Sequence, residues 1–394
     1  MRGRRAPGSA ARCATGARFL VVVSALALVL GACTGSSREP STSPARAGGA
    51  GHLISERAIR ASAEIRAWRV LYSSRSISGA PIRVSGVVVA PRSPAPPGGY
   101  PIVSWAHGIV GLADHCAPSR QRPLVGHSVP AIHLASLGWV IAATDYEGLG
   151  TPGPHPTAVG VSEGRGVLDI TRAVGEMPQL QTRNDVVVFG HSEGGQAALF
   201  AGQLAPSYAP ELHIVGVIAS APAAELTLLT RELPANGLLG YLVEAAVAYR
   251  STYPGLSLER VLTPWALARV PSVRRTCAAE VLQTFDVPAS QVFRRSPLAV
   301  APWPSLLARN TPGRVPVDSP VLVLQGRNDP TIPPQAVRAL GRELCAAGDD
   351  VLYREYAGVG HEPIATAAPD IFAWVQGRLA GLPPPTSCGT PSLA

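Results

Sequence analysis

The chain has 394 residues, is 46% hydrophobic and carries a formal net charge of +8. Five arginines and no acid lie in the first 32 residues, which leaves about +3 for the rest. No basic cluster with interleaved aromatic residues is present, and this excludes nucleic-acid binding as the main function. The apolar fraction is high enough for one large α/β domain or two ordinary ones.

The N-terminal 32 residues read as an export signal. An arginine-bearing segment precedes the apolar run Phe19–Leu30, which is too short to span a bilayer comfortably. Leu30-Gly31-Ala32-Cys33 is typical of a lipoprotein cleavage site, so we expect an exported protein anchored to the cell-surface membrane through acylated Cys33. The alternative is ordinary cleavage nearby, with a secreted product and Cys33 left as a thiol. Residues 33–50 are rich in Ser, Pro, Gly and Ala and predict a flexible tether.

Beyond the tether, apolar β-branched runs alternate with helical patterns. This alternation predicts a mostly parallel central sheet with helices on both faces. Residues 51–221 are expected to form the N-terminal part of the core, 319–382 its C-terminal part and 383–394 a tail. Residues 222–318 lack a clear strand and predict an inserted helical cap. Helices are expected there at Leu238–Arg250, Ser257–Val270 and Cys277–Phe285, and six apolar residues of the first would wall an acyl site: Leu238, Leu239, Tyr241, Leu242, Val243 and Val247.

The most informative stretch is Gly190-His191-Ser192-Glu193-Gly194. It follows the apolar run Val186–Phe189 and precedes a helical pattern, which is the context of a nucleophile elbow. A serine on such a sharp strand-to-helix turn has its hydroxyl clear of the sheet, and the N-terminal amides of the next helix face the reacting centre. The pattern predicts that Ser192 is a nucleophile.

An acid and a base for Ser192 are found at the ends of two later strands. Asp329 follows the apolar run 320–325, and His361 follows the predicted strand Val351–Tyr356. The order Ser, Asp, His is the one expected on this kind of sheet. A histidine near neutrality can take the serine proton, and a buried carboxylate holds its tautomer. Other acids and histidines lack such settings: Asp318, Asp349, Asp350, His52, His127, His133, His155 and His213.

A second loop, after the predicted strand 101–105, contains His107, Gly108 and Ile109. The chain can fold back at Gly108, so the amide of Ile109 is expected to pair with that of Glu193 in an oxyanion hole. We interpret His107 as a structural support of this loop and not as a base. Asp145 and Glu147 form a tempting acid pair, but carboxylates in turns more often cap helices or accept from backbone amides.

Four cysteines remain when Cys13 and Cys33 are set aside, and an even number in an exported protein predicts two disulfides. Sequence alone permits three pairings of Cys116, Cys277, Cys345 and Cys388. No Cys/His cluster has metal-ligand spacing and no glycine-rich nucleotide loop is present. We therefore expect neither a metal nor a cofactor.

Taken together, these motifs resemble the secretory lipases of yeasts and actinobacteria, a group of the α/β-hydrolase superfamily. The resemblance rests on Gly190–Gly195, Thr144–Gly150, Gly326–Asp329 and Gly360-His361, and covers about residues 52–390. It implies the α/β-hydrolase fold and hydrolysis of triacylglycerols or other carboxylesters with Ser192, Asp329 and His361 as the triad. It also implies disulfides Cys116–Cys277 and Cys345–Cys388.

The expected function is therefore that of a serine carboxylester hydrolase acting on a small ester or lipid through an acyl-enzyme. Peptidases and acyltransferases use the same scaffold, and both stay open as alternatives. A third alternative is a surface-tethered binding protein without catalysis.

Overall fold

The computed structural model describes residues 49–121, 134–135 and 137–393. The predicted signal peptide, Cys33, almost all of the tether, His127 and His133 lie outside these residues. The described residues fall within one compact unit. No helix among them combines the length and apolarity that crossing a membrane requires.

The described chain forms a nine-stranded sheet in the order β1-β2-β3-β5-β4-β6-β7-β8-β9. Pairs β1–β2, β2–β3 and β3–β5 are antiparallel, and every pair from β5–β4 to β8–β9 is parallel. The strands are β1 Leu53–Ile59, β2 Ile65–Arg75, β3 Pro81–Pro91, β4 Tyr100–Ala106, β5 Val140–Thr144, β6 Thr182–His191, β7 His213–Ser220, β8 Val321–Gly326 and β9 Val351–Tyr356.

Helices follow the parallel strands and fill the connection between β7 and β8. They are α1 Gly160–Gly175, α2 Glu193–Tyr208, α3 Leu226–Glu232, α4 Leu239–Thr252, α5 Pro264–Leu267, α6 Val270–Val273, α7 Ala278–Thr284, α8 Ala289–Val292, α9 Trp303–Arg309, α10 Pro334–Ala347 and α11 Ile364–Leu379. Short 3₁₀ turns lie at Asp114–Cys116, Pro118–Arg120, Leu233–Asn236, Pro297–Ala299 and Pro391–Leu393.

The central strands are apolar throughout because both faces of the sheet are covered. Along β6, Val186 and Val188 belong to the core that packs with α1 and α2, whereas Val187 and Phe189 belong to the core packed with α11. A fully buried parallel strand must be apolar at both alternating sets of positions. The prediction of a mostly parallel sheet with helices on both faces is confirmed.

The connection from Ser220 to Val321 contains no strand among its residues, all of which are described. Its helices have a core of their own, which includes Val247, Leu262 and Phe285. We call residues 222–318 the helical insertion. The predicted helix Ser257–Val270 is wrong: within that range the chain is helical only at α5 and at Val270, where α6 begins. The Thr263 hydroxyl accepts from the amide of Ala266 at the start of α5, which begins at Pro264. Proline is favoured in this first-turn position but not inside a helix.

Candidate active site

Ser192 occupies a sharp turn between β6 and α2. Its backbone has φ 59° and ψ −121°, a conformation in which a residue with a side chain is strained. A Cβ on Gly190 would lie 1.8 Å from the carbonyl oxygen of Gly194, and one on Gly194 would lie 2.0 Å from the carbonyl oxygen of Ala106. The two glycines are therefore needed for the turn to close and to approach the end of β4.

The side chains of Asp329 and His361 converge on Ser192. The Nε2 of His361 lies 3.0 Å from the Oγ of Ser192, and its Nδ1 lies 2.9 Å from the Oδ2 of Asp329. The two loops that contain them are joined by backbone bonds, including that from Asn328 N to Val359 O at 2.9 Å. The structure thus brings together the three residues that the sequence predicted, in hydrogen-bonding order.

The Asp329 carboxylate is held by four groups. Besides His361, the amides of Thr331 and Ile332 donate to its Oδ1 at 2.8 and 2.9 Å, and the Gln325 amide donates to its Oδ2 at 3.1 Å. Burial alone would raise its pKa, but the hydrogen bond and charge of His361 together with these backbone amides hold the pKa below the ordinary value. Asp329 is therefore ionised at neutral pH and aligned with the imidazole.

The loop after β4 lies directly against the serine. A Cβ on Gly108 would be 3.2 Å from the Cβ of Ser192, so only a residue without a side chain fits there comfortably. The amides of Ile109 and Glu193 donate to no group among the described residues, and both residues line the cavity at Ser192. Two donors are thus available beside the hydroxyl.

His107 stabilises this loop. Its Nδ1 donates to the carbonyl of Gly108 at 2.7 Å, its ring packs on Tyr146, and the Tyr146 hydroxyl donates to the His107 carbonyl at 2.9 Å. Asp145 is equally structural, since it accepts from the Ser85 hydroxyl and the Ser119 amide at 2.6 and 2.9 Å. Glu147 accepts from Ser162 at the start of α1.

An apolar cavity of about 140 Å³ opens at Ser192 and His361. Its remaining lining comes largely from α3, α4 and α9 of the helical insertion. Of the six wall residues expected from the sequence, Tyr241 and Leu242 line it. The other four do not, because Leu239, Val243 and Val247 face the core of the insertion and Leu238 packs on the main core. The lining residues on α4 are Tyr241, Leu242, Ala245, Ala246 and Tyr249.

Sequence reasoning also missed His191 as a neighbour of the site. Its ring lies 4.8 Å from that of His361, and its Nε2 is 3.2 Å from the Oε1 of Glu362. The sequence shows that His191 belongs to the elbow motif, but its contact with the His361 loop, 170 positions later in the chain, depends on the fold.

The two disulfides are Cys116–Cys277 and Cys345–Cys388. The first joins the segment after the Gly108 loop to the helical insertion, and the second attaches the tail to α10. Among the described residues, His115, Cys116 and Cys277 lie close enough together to suggest a metal site. The two cysteines of this group are joined in the first disulfide. A disulfide has no thiolate to offer a metal.

Comparison with known proteins agrees with this architecture. The secretory lipase family model matches residues 129–387. A secreted triacylglycerol lipase of Malassezia globosa is 28% identical over 80% of this chain and 73% of its own length. A probable inactive lipase of Mycobacterium tuberculosis is 25% identical over 81% and 75%.

Among solved structures, Candida antarctica lipase A in its closed state superposes with a TM-score of 0.76 and 21% identity, covering 88% of this chain and 86% of its own. The rice cell wall degrading esterase of Xanthomonas oryzae gives a TM-score of 0.68 and 21% identity, covering 83% and 97%. These likenesses identify the fold as that of the α/β hydrolases. With the family model matching well over half of its length, the chain belongs to the secretory lipase family.

Proposed function

We propose that this protein is a serine carboxylester hydrolase, a lipase or esterase that works through an acyl-enzyme on Ser192. The observation that carries the proposal is the chain of hydrogen bonds from Ser192 through His361 to Asp329, at 3.0 and 2.9 Å, at the floor of an apolar cavity. Membership of a family of lipases supports the same reaction class.

In the acylation step, the Oγ of Ser192 forms a bond to the ester carbonyl carbon while the Nε2 of His361 takes the hydroxyl proton. Asp329 accepts the Nδ1 hydrogen of the imidazole and stabilises the imidazolium that forms. The carbonyl electron pair moves onto oxygen. When the carbonyl re-forms, the alkoxide leaves with the proton from Nε2, and the acyl group stays on Ser192.

The developing oxyanion needs donors that are in place before the reaction. The amides of Glu193 and Ile109 supply them in this proposal, with Glu193 adding the positive end of the α2 dipole. Gly108 allows the Ile109 segment to approach Ser192 closely. Water then attacks the acyl-enzyme with His361 again as base, and the carboxylic acid is released.

The helical insertion acts as the cap over this chemistry in our proposal, with the α4 side chains holding the acyl chain. A cavity of about 140 Å³ suits a short apolar group. The polar ester group would lie at the Ser192 end of the cavity. An ester substrate, unlike a peptide with a charged terminus, needs no charged side chain of the site to bind it. We therefore favour ester hydrolysis over the peptidase and acyltransferase alternatives.

Hydrolysis of p-nitrophenyl butyrate and labelling by a fluorophosphonate probe test the proposal. Ser192→Ala should lower kcat by at least about a thousandfold and abolish labelling, whereas Ser207→Ala, an exposed serine on α2, should retain both. An unlabelled wild-type protein that hydrolyses no ester would instead favour a non-catalytic role, as the name of the mycobacterial relative suggests for that protein. Faster cleavage of amides, or transfer to an added alcohol in preference to water, would favour the alternatives.

Membership of the secretory lipase family supports export. We propose in addition that Cys33 becomes the lipid-modified first residue of the mature protein. In a bacterial host that expresses the full chain, growth with an alkyne fatty acid should label the wild-type protein and not Cys33→Ser. Equal labelling of both, or none of the wild type, would contradict the anchor.

A further inference from the structure

Three buried carboxyl groups lie together between the catalytic sheet and the helical insertion. Glu163 of α1 is 0% exposed, Glu193 at the start of α2 is 1% exposed, and Glu244 of α4 is 0% exposed. We call them the carboxyl layer. The reaction proposed above uses the backbone amide of Glu193 but none of these side chains, so their place next to Ser192 needs another explanation.

The carboxyl groups of Glu163 and Glu193 are close enough for each to change the pKa of the other. Ionised carboxylates have acceptors only, so two of them side by side can bond only when one carries a proton. The Oε1 of Glu193 accepts from the Ala158 amide at 2.9 Å. Among the described residues, no N–H or hydroxyl group lies in hydrogen-bond geometry with its Oε2 or with either oxygen of Glu163. The nearby amides of Ala158 and Val159 lower the pKa of Glu163, but burial outweighs them and raises it. The proton is therefore the natural partner of this pair.

Glu244 adds a third carboxyl from the side of the insertion. Both of its oxygens lack a hydrogen-bond donor within the described part of the chain. The nearby carboxyl group of Glu193 adds to burial in raising the pKa of Glu244. Burial raises the pKa of all three groups, to about 8 for Glu244. Among the described residues, no cationic side chain lowers the pKa of Glu193 or Glu244 and so offsets the effect of burial.

The other titratable groups around the carboxyl layer are neutral or lie across the cavity. Four tyrosines face it, and burial raises the pKa of each. They are Tyr146 after β5, Tyr241 and Tyr249 of α4, and Tyr253 beyond its end. Across the cavity stand His191, His361 and Glu362.

We propose that Glu163 and Glu193 are positioning residues for the reaction at Ser192: by holding protons they keep ionised carboxylate away from the oxyanion hole. The inference rests on the proposed function. Glu193 supplies one of the amides that would hold the oxyanion, so a charge on its own side chain opposes the charge that develops there. Loss of a proton from the pair then limits the reaction in alkaline solution.

The test is the pH profile of kcat for p-nitrophenyl butyrate. In the wild type, kcat should fall about tenfold in alkaline solution as the pair ionises. In Glu163→Gln the new amide donates to the Glu193 carboxylate and favours its ionised form. That variant should have kcat about tenfold low, with no alkaline fall and with KM unchanged.

The double variant Glu163→Gln with Glu193→Gln carries no ionisable group at the pair, so its kcat should exceed that of Glu163→Gln and the alkaline fall of the wild type should be absent. A purely structural role would instead make the double variant worse than the single one. Glu280→Gln, an exposed position on α7, is the control and should keep the wild-type profile. An unchanged alkaline fall in both pair variants overturns the inference.

Infrared spectroscopy of the wild type gives a second readout that needs no variant to fold. A protonated-carboxyl band at neutral pH should disappear over the pH range of the alkaline fall, and its failure to titrate there overturns the inference. The proposed function fails separately, if Ser192→Ala still hydrolyses the ester. A dead Ser192→Ala beside unaltered profiles of the pair variants would overturn the role of the pair alone.

Discussion

Gly111 pairs with Cys277 in an antiparallel bridge, and a Cβ on Gly111 would lie 2.6 Å from the Cα of Cys277. The amide of Ala278 also donates to the carbonyl of Val110 at 3.0 Å. The loop that contains Ile109 is therefore attached to the helical insertion by backbone contacts, with the Cys116–Cys277 disulfide beside them. Changes in the insertion can act directly on the loop of the proposed oxyanion hole.

Removal of the two disulfides should have unequal effects. Cys116 and Cys277 are 161 residues apart, and the loop-closure model gives about 5 kcal/mol for such a loop. Cys345 and Cys388 are 43 apart, for which it gives about 4 kcal/mol. Urea unfolding of the two double-serine variants measures this difference. Only the first should also lower kcat; equal losses of activity would contradict the coupling to the Ile109 loop.

Gly194→Ala should damage the elbow. The new methyl would meet the Ala106 and His107 carbonyl oxygens at 2.0 and 2.6 Å. We expect destabilisation of about 1–3 kcal/mol and a large fall in kcat. The matched control is Gly377→Ala in α11, where nothing lies within 4 Å. That variant should gain about 0.5–1 kcal/mol because alanine favours a helix. Thermal unfolding and ester hydrolysis measure the two effects. Equal changes in stability and in kcat for the two variants would contradict the requirement for glycine at position 194.

Asp329→Asn should lower kcat by about ten-thousandfold, because an amide stabilises neither the required tautomer nor the imidazolium. Stopped assays with p-nitrophenyl butyrate measure it. Asp318→Asn is the control: Asp318 is exposed and has φ 58°, a conformation that asparagine also tolerates. It should change kcat less than about twofold. A comparable loss of kcat in both variants would contradict a role of Asp329 in catalysis.

The carboxyl layer should make stability fall as the pH rises. The folded-state pKa values of its three groups are raised by burial, so the stabilisation is complete below the ordinary glutamate range and is lost on passing the folded values, about 8 for Glu244. Asp329 acts oppositely, since its lowered pKa gives stability that is lost in acid. Melting temperature should decline by several degrees from mildly acidic to alkaline solution, and less so in the double glutamine variant. A flat wild-type curve would argue against buried neutral carboxyls.

Ala246→Phe should shorten the acyl site. Ala246 is 3% exposed and lines the cavity from α4, so a phenyl ring there would fill much of its volume. We expect kcat/KM for p-nitrophenyl butyrate to fall at least about tenfold while that for the acetate ester changes little. The acetate is the internal control. An equal loss on both esters would indicate misfolding or an acyl chain bound elsewhere.

The sequence predicted the elements that have strong local signals. The apolar strands, the elbow and the two loops with Asp329 and His361 were all found, because parallel strands buried on both faces must be apolar and their ends meet at one edge. β1 was missed: five of its seven residues are exposed, and it is held as an edge strand by pairing with β2. No periodic pattern marks such a strand.

The carboxyl layer was also beyond the sequence. Glu163 and Glu244 each look like an ordinary polar residue of a helix, and only the fold brings both of them to Glu193. Only two of the six residues predicted for the α4 wall line the cavity, for a related reason. The helix is apolar on several faces, so composition could not tell which side chains turn to the cavity and which to the insertion's own core.

The two ends of the described chain belong to opposite margins of the sheet. β1 is one border, and the tail lies against the other, where the amide of Ser387 donates to the carbonyl of Val351 in β9 at 2.6 Å. Eight inter-strand steps separate these borders, a span of about 40 Å. A dye attached at Ser387 would therefore stand far from one attached at Leu53, and a short peptide linker between these two positions could not circularise the fold.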